Sequence, residues 1–228
     1  MKSKIFATAL FTFFIVGCAE IETKRQAFPR MYEPTKPVSL VVVPAINKTT
    51  AADAGDLINS TLTIPFADNG YYVFPISIVS DIFRREGIVD GTQIAGLPAS
   101  LFKNNFGADA VLHVTINKWD TNYVVLAANV TVGISFVLVS TLDNEVLWSY
   151  DQQIVVDTSG DSTGFILVDV IKTAATTALT DYIPIARRVN AAAVATMPHG
   201  NYHPEAGNDG DAKVVLKQAK EKALDQSD

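Results

Sequence analysis

From Val124 to Leu138 every even-numbered residue is apolar: Val124, Leu126, Ala128, Val130, Val132, Ile134, Phe136 and Leu138. The odd positions between them include Asn129, Thr131, Gly133 and Ser135. Successive side chains of a strand point to opposite faces, so this period-two pattern predicts one long strand with an apolar face and a mixed face. "DAVLHVTINKW" precedes it, and "LDNEVLWSYDQQIVV" follows with a turn at Asp143-Asn144. Residues 109–157 therefore read as an antiparallel meander. The mixed face, with Thr131 and Ser135, fits two arrangements equally well. One is an edge strand open to a partner strand; the other is a central strand paired on both sides.

Upstream the pattern changes. Leu40 to Val43 are apolar without alternation, as in a short strand covered on both faces. A helix is expected from about Asp53 to Asp68, with Asp53 as N-cap and Pro65 kinking or ending it. "GYYVFP" (70–75) reads as a second strand. In "ISIVSDIFRRE", Val79, Ile82 and Phe83 fall on one helical face. A further helix near Pro98 to Phe106 leads into the meander. This strand–helix order implies parallel pairing through right-handed crossovers. Downstream, a long helix is expected from about Phe165, with Leu167, Ile171, Ala174, Ala175, Ala178 and Tyr182 on one broad face. That face is expected to cover Val130–Leu138, and Pro184 to break or kink the helix before "ARRVNAAAVATM". The fold class is α/β: a mixed sheet with a parallel N-terminal part and an antiparallel meander, with helices packed on it.

The ends carry different information. Lys2 and Lys4 precede an uncharged run, Ile5 to Val16, that is shorter than the roughly 20 apolar residues a bilayer span requires. A basic start, a short apolar run and small residues before a cut site form a secretory signal, residues 1–17. Ile15-Val16-Gly17-Cys18 resembles a bacterial lipobox, which implies a diacylglyceryl group on the Cys18 thiol, cleavage before it and acylation of the new amine. Two or more acyl chains anchor a protein stably. Cys18 is the only cysteine, so neither a disulfide framework nor a free thiol remains. Ala19, in place of an inner-membrane retention Asp, implies an outer-membrane, periplasm-facing location. Removing Lys2 and Lys4 makes the net charge of −6 two units more negative, and no basic patch suggests nucleic acid. Residues 18–37, polar with three prolines, are expected to be a tether with an end-to-end distance of about 25 Å. The α/β domain spans 38–197, and 198–228 is expected to be an irregular, mobile tail.

The signal, followed by "VVVPAINKTT", "GYYVFP", "ADAVLHVTINKW" and "PHGNYHP", resembles a family of bacterial lipoproteins of unknown function whose familiar member is a meningococcal outer-membrane lipoprotein. The resemblance implies a fold similar to the N-terminal domain of TolB, shared with the curli secretion channel lipoprotein and with lipoprotein activators of penicillin-binding proteins. It also implies work by contact with envelope proteins, a curli-channel-like lipoprotein among them, and no enzymatic activity. It brings no catalytic residues.

The sharpest enzyme signal is "GDSTG", residues 160–164, a G-x-S-x-G between a strand and a helix. Ser162 would be the nucleophile of a periplasmic hydrolase, followed in order by Asp169 or Asp181 and by His199 or His203. Against it, the preceding strand is antiparallel and no Gly-rich oxyanion segment lies upstream; Asp161 or Ser162 would serve as a helix cap instead. His199 and His203 have a metal-compatible spacing, with Asp209 or Asp211 as further ligands. Pro198, Gly200 and Pro204 argue for a surface turn instead. His113 is expected to pair with a polar neighbour rather than to catalyse. No P-loop or dinucleotide fingerprint is present, and no cofactor, metal or small-molecule substrate is indicated.

Overall fold

The computed structural model describes residues 20–124, 127–157, 170–172 and 182–216. In chain order the elements are β1 (Glu20–Thr23), α1 (Lys24–Ala27), a 3-10 turn Pro29–Tyr32, β2 (Ser39–Val42), β3 (Ile46–Asn47), α2 (Ala54–Ser60), α3 (Thr63–Asp68) and β4 (Tyr72–Val73). Next come α4 (Ile76–Arg85), a 3-10 turn Gly91–Gln93, α5 (Ser100–Phe106), β5 (Ala110–Val124), β6 (Ala127–Ser140) and β7 (Val146–Asp157). Last are β8 (Val170–Lys172), α6 (Ile183–Ala195) and β9 (Lys213–Leu216).

The main sheet runs β4-β2-β5-β6-β7-β8, with β3 also pairing β5. It is parallel at β4, β2, β3 and β5, antiparallel through β5-β6-β7, and parallel again at β8. The expected mixed α/β architecture is thus the one observed. Leu40 and Val42 face one core, and Val41 and Val43 the other, which is why that strand shows no alternation. The larger core lies under α2, α3 and α6, and the smaller one under α4 and α5. Trp148 is completely buried in the larger core, its ring meeting those of Phe66, Phe136 and Tyr150. Burying a single large apolar side chain contributes roughly 1.5–3 kcal/mol.

β6 is central. Its even residues Val130 to Leu138 face the larger core, as the pattern predicts. Both of its edges are hydrogen-bonded, to β5 and β7, so the open-edge arrangement does not hold. Thr131 is buried, while Ser135 joins a polar row across three strands, accepting from Asn117 Nδ2 at 3.0 Å and donating to Asp151 Oδ1 at 2.8 Å. β5 carries a bulge: Ile116 opposes Ile134, but Lys118 opposes Gly133. The extra residue shifts the phase, so Leu112, Val114 and Ile116 are followed on the core face by Trp119.

The expected long helix is corrected where it is described. Val170–Lys172 is a strand parallel to β7, in keeping with the extended preference of the β-branched Val-Ile pair. The helix covering the apolar face of β6 is α6, through Ile185, Ala186, Val189 and Ala193. Pro184 sits in its first turn, where no backbone N–H is needed, and so opens a helix instead of breaking one. Pro65 likewise lies in the first turn of α3, and the chain breaks before it, at Thr61-Leu62. On α4, Val79 and Phe83 are buried, whereas Ile82 is exposed.

Candidate functional site

Residues 20–37 and 198–216, the described parts of the expected tether and tail, are folded onto the domain. β1 and β9 form a separate antiparallel pair, from Glu20 opposite Leu216 to Thr23 opposite Lys213. Thr23 then caps α1 in a capping box with Gln26. Phe28 and Met31 enter the larger core, and Arg30 reaches the β6–β7 turn, contacting Asp143 at 2.6 Å and Glu145 at 2.7 Å. The apolar anchors and capping box outweigh the polar, Pro-rich composition that suggested a free tether.

The two ends meet at Lys24. Its ammonium donates to the Met197 carbonyl at 2.7 Å and to Asp209 Oδ2 at 3.1 Å. Only 7% of either side chain is exposed. Asp209 also accepts from the His199 backbone N–H at 3.0 Å and from the Tyr32 hydroxyl at 3.2 Å. Burial opposes ionisation of Asp209, but the hydrogen bond and charge of Lys24, with the His199 amide, hold its carboxyl below the usual range. Burial first, then the Asp209 charge, pushes the Tyr32 phenol well above its ordinary range. Arg25 lies over the Tyr32 ring at 4.3 Å and donates to the Gly207 carbonyl at 3.2 Å.

The "PHGNYHP" loop docks beside this pair. Pro198 O accepts from the Tyr71 hydroxyl at 2.8 Å and from Asn69 Nδ2 at 3.1 Å. With its Nδ2 so committed, Asn69 turns Oδ1 to His199 Nδ1 at 2.7 Å, which assigns the proton to Nδ1. The rings of His199 and His203 stack with centroids 3.6 Å apart and planes 7° from parallel. His203 Nδ1 accepts from the Glu205 amide at 3.1 Å. Gly70 and Gly200 meet backbone to backbone; a Cβ on either would collide with the other's segment.

These contacts decide the expected site residues. His199, His203 and Asp209 do come together, but as packing and hydrogen-bonding partners: Asp209 is held by Lys24, and His199 Nε2 is 3.9 Å from it. Among the described residues no group of three ligating side chains converges on a metal position. His113 packs edge-to-face against Phe102, with no polar side-chain partner among the described residues. Cys18, Ser162, Asp169 and Asp181 lie outside the described residues. The sequence reading missed Lys24, Asn69 and Tyr71. The signal for the first lay in Thr23-x-x-Gln26, a capping box inside a supposed tether. Among the described residues, no helix is long and apolar enough to cross a membrane.

Comparison with known proteins finds a matching family and several similar structures. Residues 30–199 match the family described as "Putative lipoprotein GNA1162-like". "Putative lipoprotein NMB1124/NMB1162" of Neisseria meningitidis serogroup B is 28% identical over 152 residues, covering 66% of this chain and 71% of the relative. The crystal structure of lipoprotein GNA1162 from Neisseria meningitidis superposes with a TM-score of 0.51 at 28% identity, over 56% of this chain and 88% of that one. The PelC dodecamer from Paraburkholderia phytofirmans aligns at 0.46 and 16% identity, over 72% of this chain and 89% of that one.

Proposed function

Because the chain belongs to the GNA1162-like lipoprotein family, we propose that it is a lipid-anchored, periplasm-facing component of an outer-membrane assembly, acting by protein contact and not by catalysis. Cys18 carries the diacylglyceryl and acyl groups. The observation that carries this reading is the position of β1, which starts at Glu20, two residues beyond that thiol. A folded element so close to the anchor holds the domain at the membrane surface, and the buried Lys24–Asp209 pair holds that element to the rest of the domain. The helices on both faces of the sheet leave a partner its edges and loops. At β4, which ends the sheet, Tyr72 is exposed and a partner strand could add. A curli-channel-like lipoprotein is the partner class the resemblance implies.

The test is Cys18→Ser in the native host, with membrane fractionation, fatty-acid labelling and crosslinking of the wild type in intact membranes. Loss of the label and of membrane association in the variant, and recovery of an envelope lipoprotein crosslinked to the wild type, support the reading. A variant that keeps the label and its outer-membrane location contradicts it.

A further inference from the structure

β2 lies between β4 and β5. Its connection to β4 passes over one face of the sheet through α2 and α3, whose buried residues join the larger core. The connection from β4 to β5 returns over the other face through α4 and α5, which form the smaller core. Neighbouring strands whose exits part to opposite faces leave a crevice beyond their carboxyl ends, and open α/β sheets bind ligands there.

Such an opening, of about 190 Å³, lies just past β2. Pro44 and Ala45 line it together with Asp56 and Asn59 of α2 and Arg84 of α4. Asp90 adds a second carboxylate. Two features set it apart from a packing fault. The Oδ1 of Asn59 is buried with no hydrogen-bond partner, an arrangement that costs stability and needs a donor. Among the described residues the Arg84 guanidinium makes an ion pair only with Asp81, at 3.5 Å, one turn back on the same exposed helix surface.

We infer that this crevice binds a small zwitterion of the α-amino-acid class. The ligand's carboxylate sits on Arg84, and its ammonium donates to Asn59 Oδ1 and the Asp56 carboxylate. One cation and two carboxylates in the lining favour a ligand that brings a positive charge along with its anion. The opening, about 190 Å³, has room for a ligand of amino-acid size.

The test is titration calorimetry on the detergent-solubilised full-length protein. The probes are glycine, L-alanine and L-glutamate, with acetate and methylamine as single-function controls. At least one amino acid saturates at 1:1, and each control binds tenfold more weakly or worse. Arg84→Gln weakens binding at least tenfold, whereas Arg85→Gln, one residue along and outside the lining, leaves it unchanged. Asn59→Leu abolishes binding without lowering the Tm, because the unpaired acceptor goes with the site; a purely structural asparagine would lower the Tm. Absence of saturable heat from all three amino acids overturns the assignment. So does equal binding of a control, or affinity that neither Arg84→Gln nor Asn59→Leu changes.

Discussion

The Lys24 ammonium, with 7% of its side chain exposed, is shared between the Asp209 carboxylate and the Met197 carbonyl. Removing it strands a buried carboxylate, the kind of loss that costs about 3–5 kcal/mol. Lys24→Met should therefore lower unfolding stability by roughly 3 kcal/mol in denaturant titration, the Tyr32 and His199 bonds limiting the damage. Lys24→Met with Asp209→Leu should recover part of it, since the unpaired charge is then gone. The histidines add a pH dependence. Burial, reinforced by His203 and Lys24 and opposed by Asp209, holds the His199 ring below its ordinary value of 6.5. Burial alone does the same for His113. The unfolded chain takes up protons near pH 6.5 that the fold resists, so this stability is complete above that pH and is lost as pH falls through the lower folded values. The Tm should drop between pH 7.5 and 5.5, with a smaller drop in His199→Gln and in His113→Gln. A drop of the same size in both variants would rule out these rings as its source.

At the scale of elements, the loop 198–204 stays docked because two glycines let its backbone touch residues 69–71. Gly70 also has φ of 90°, which disfavours any side chain. Gly70→Ala should cost roughly 2 kcal/mol or more in denaturant titration and expose the 198–204 amides to hydrogen exchange; an unchanged exchange pattern would show the loop is held otherwise. On β6, Thr131→Lys places an ammonium at a buried position of a central strand. It should destabilise by roughly 3 kcal/mol, whereas Ser135→Lys, at a partly exposed position, should cost about 1 kcal/mol or less. The strong periodicities here were legible in advance: the β6 face, the doubly covered β2, and α4 by its Val79 and Phe83. What was not legible depended on distant partners. Nothing local to Thr131 says that β5 and β7 both pair with its strand. Nothing local to Lys24 says that Asp209 waits for it. Pro184 and Pro65 read as breakers because a proline's meaning changes with its position in the helix, and only the helix start fixes that.

For the whole molecule, folding the two ends together changes what an anchor at Cys18 does. A free 18–37 tether would let the domain range about 25 Å from the lipid. With β1 paired to β9 and Lys24 locked to Asp209, an anchor at Cys18 would instead stand two residues before an element fixed to the domain. Trypsin digestion of membranes bearing the wild-type protein tests this most directly, because a free tether would offer cleavage after Lys24, Arg25 and Arg30. The folded ends protect those sites, so the domain should stay with the membrane under conditions that release it from the Asp209→Ala variant. Rapid release of the wild-type domain into the supernatant, cut after Lys24, Arg25 or Arg30, would contradict the account.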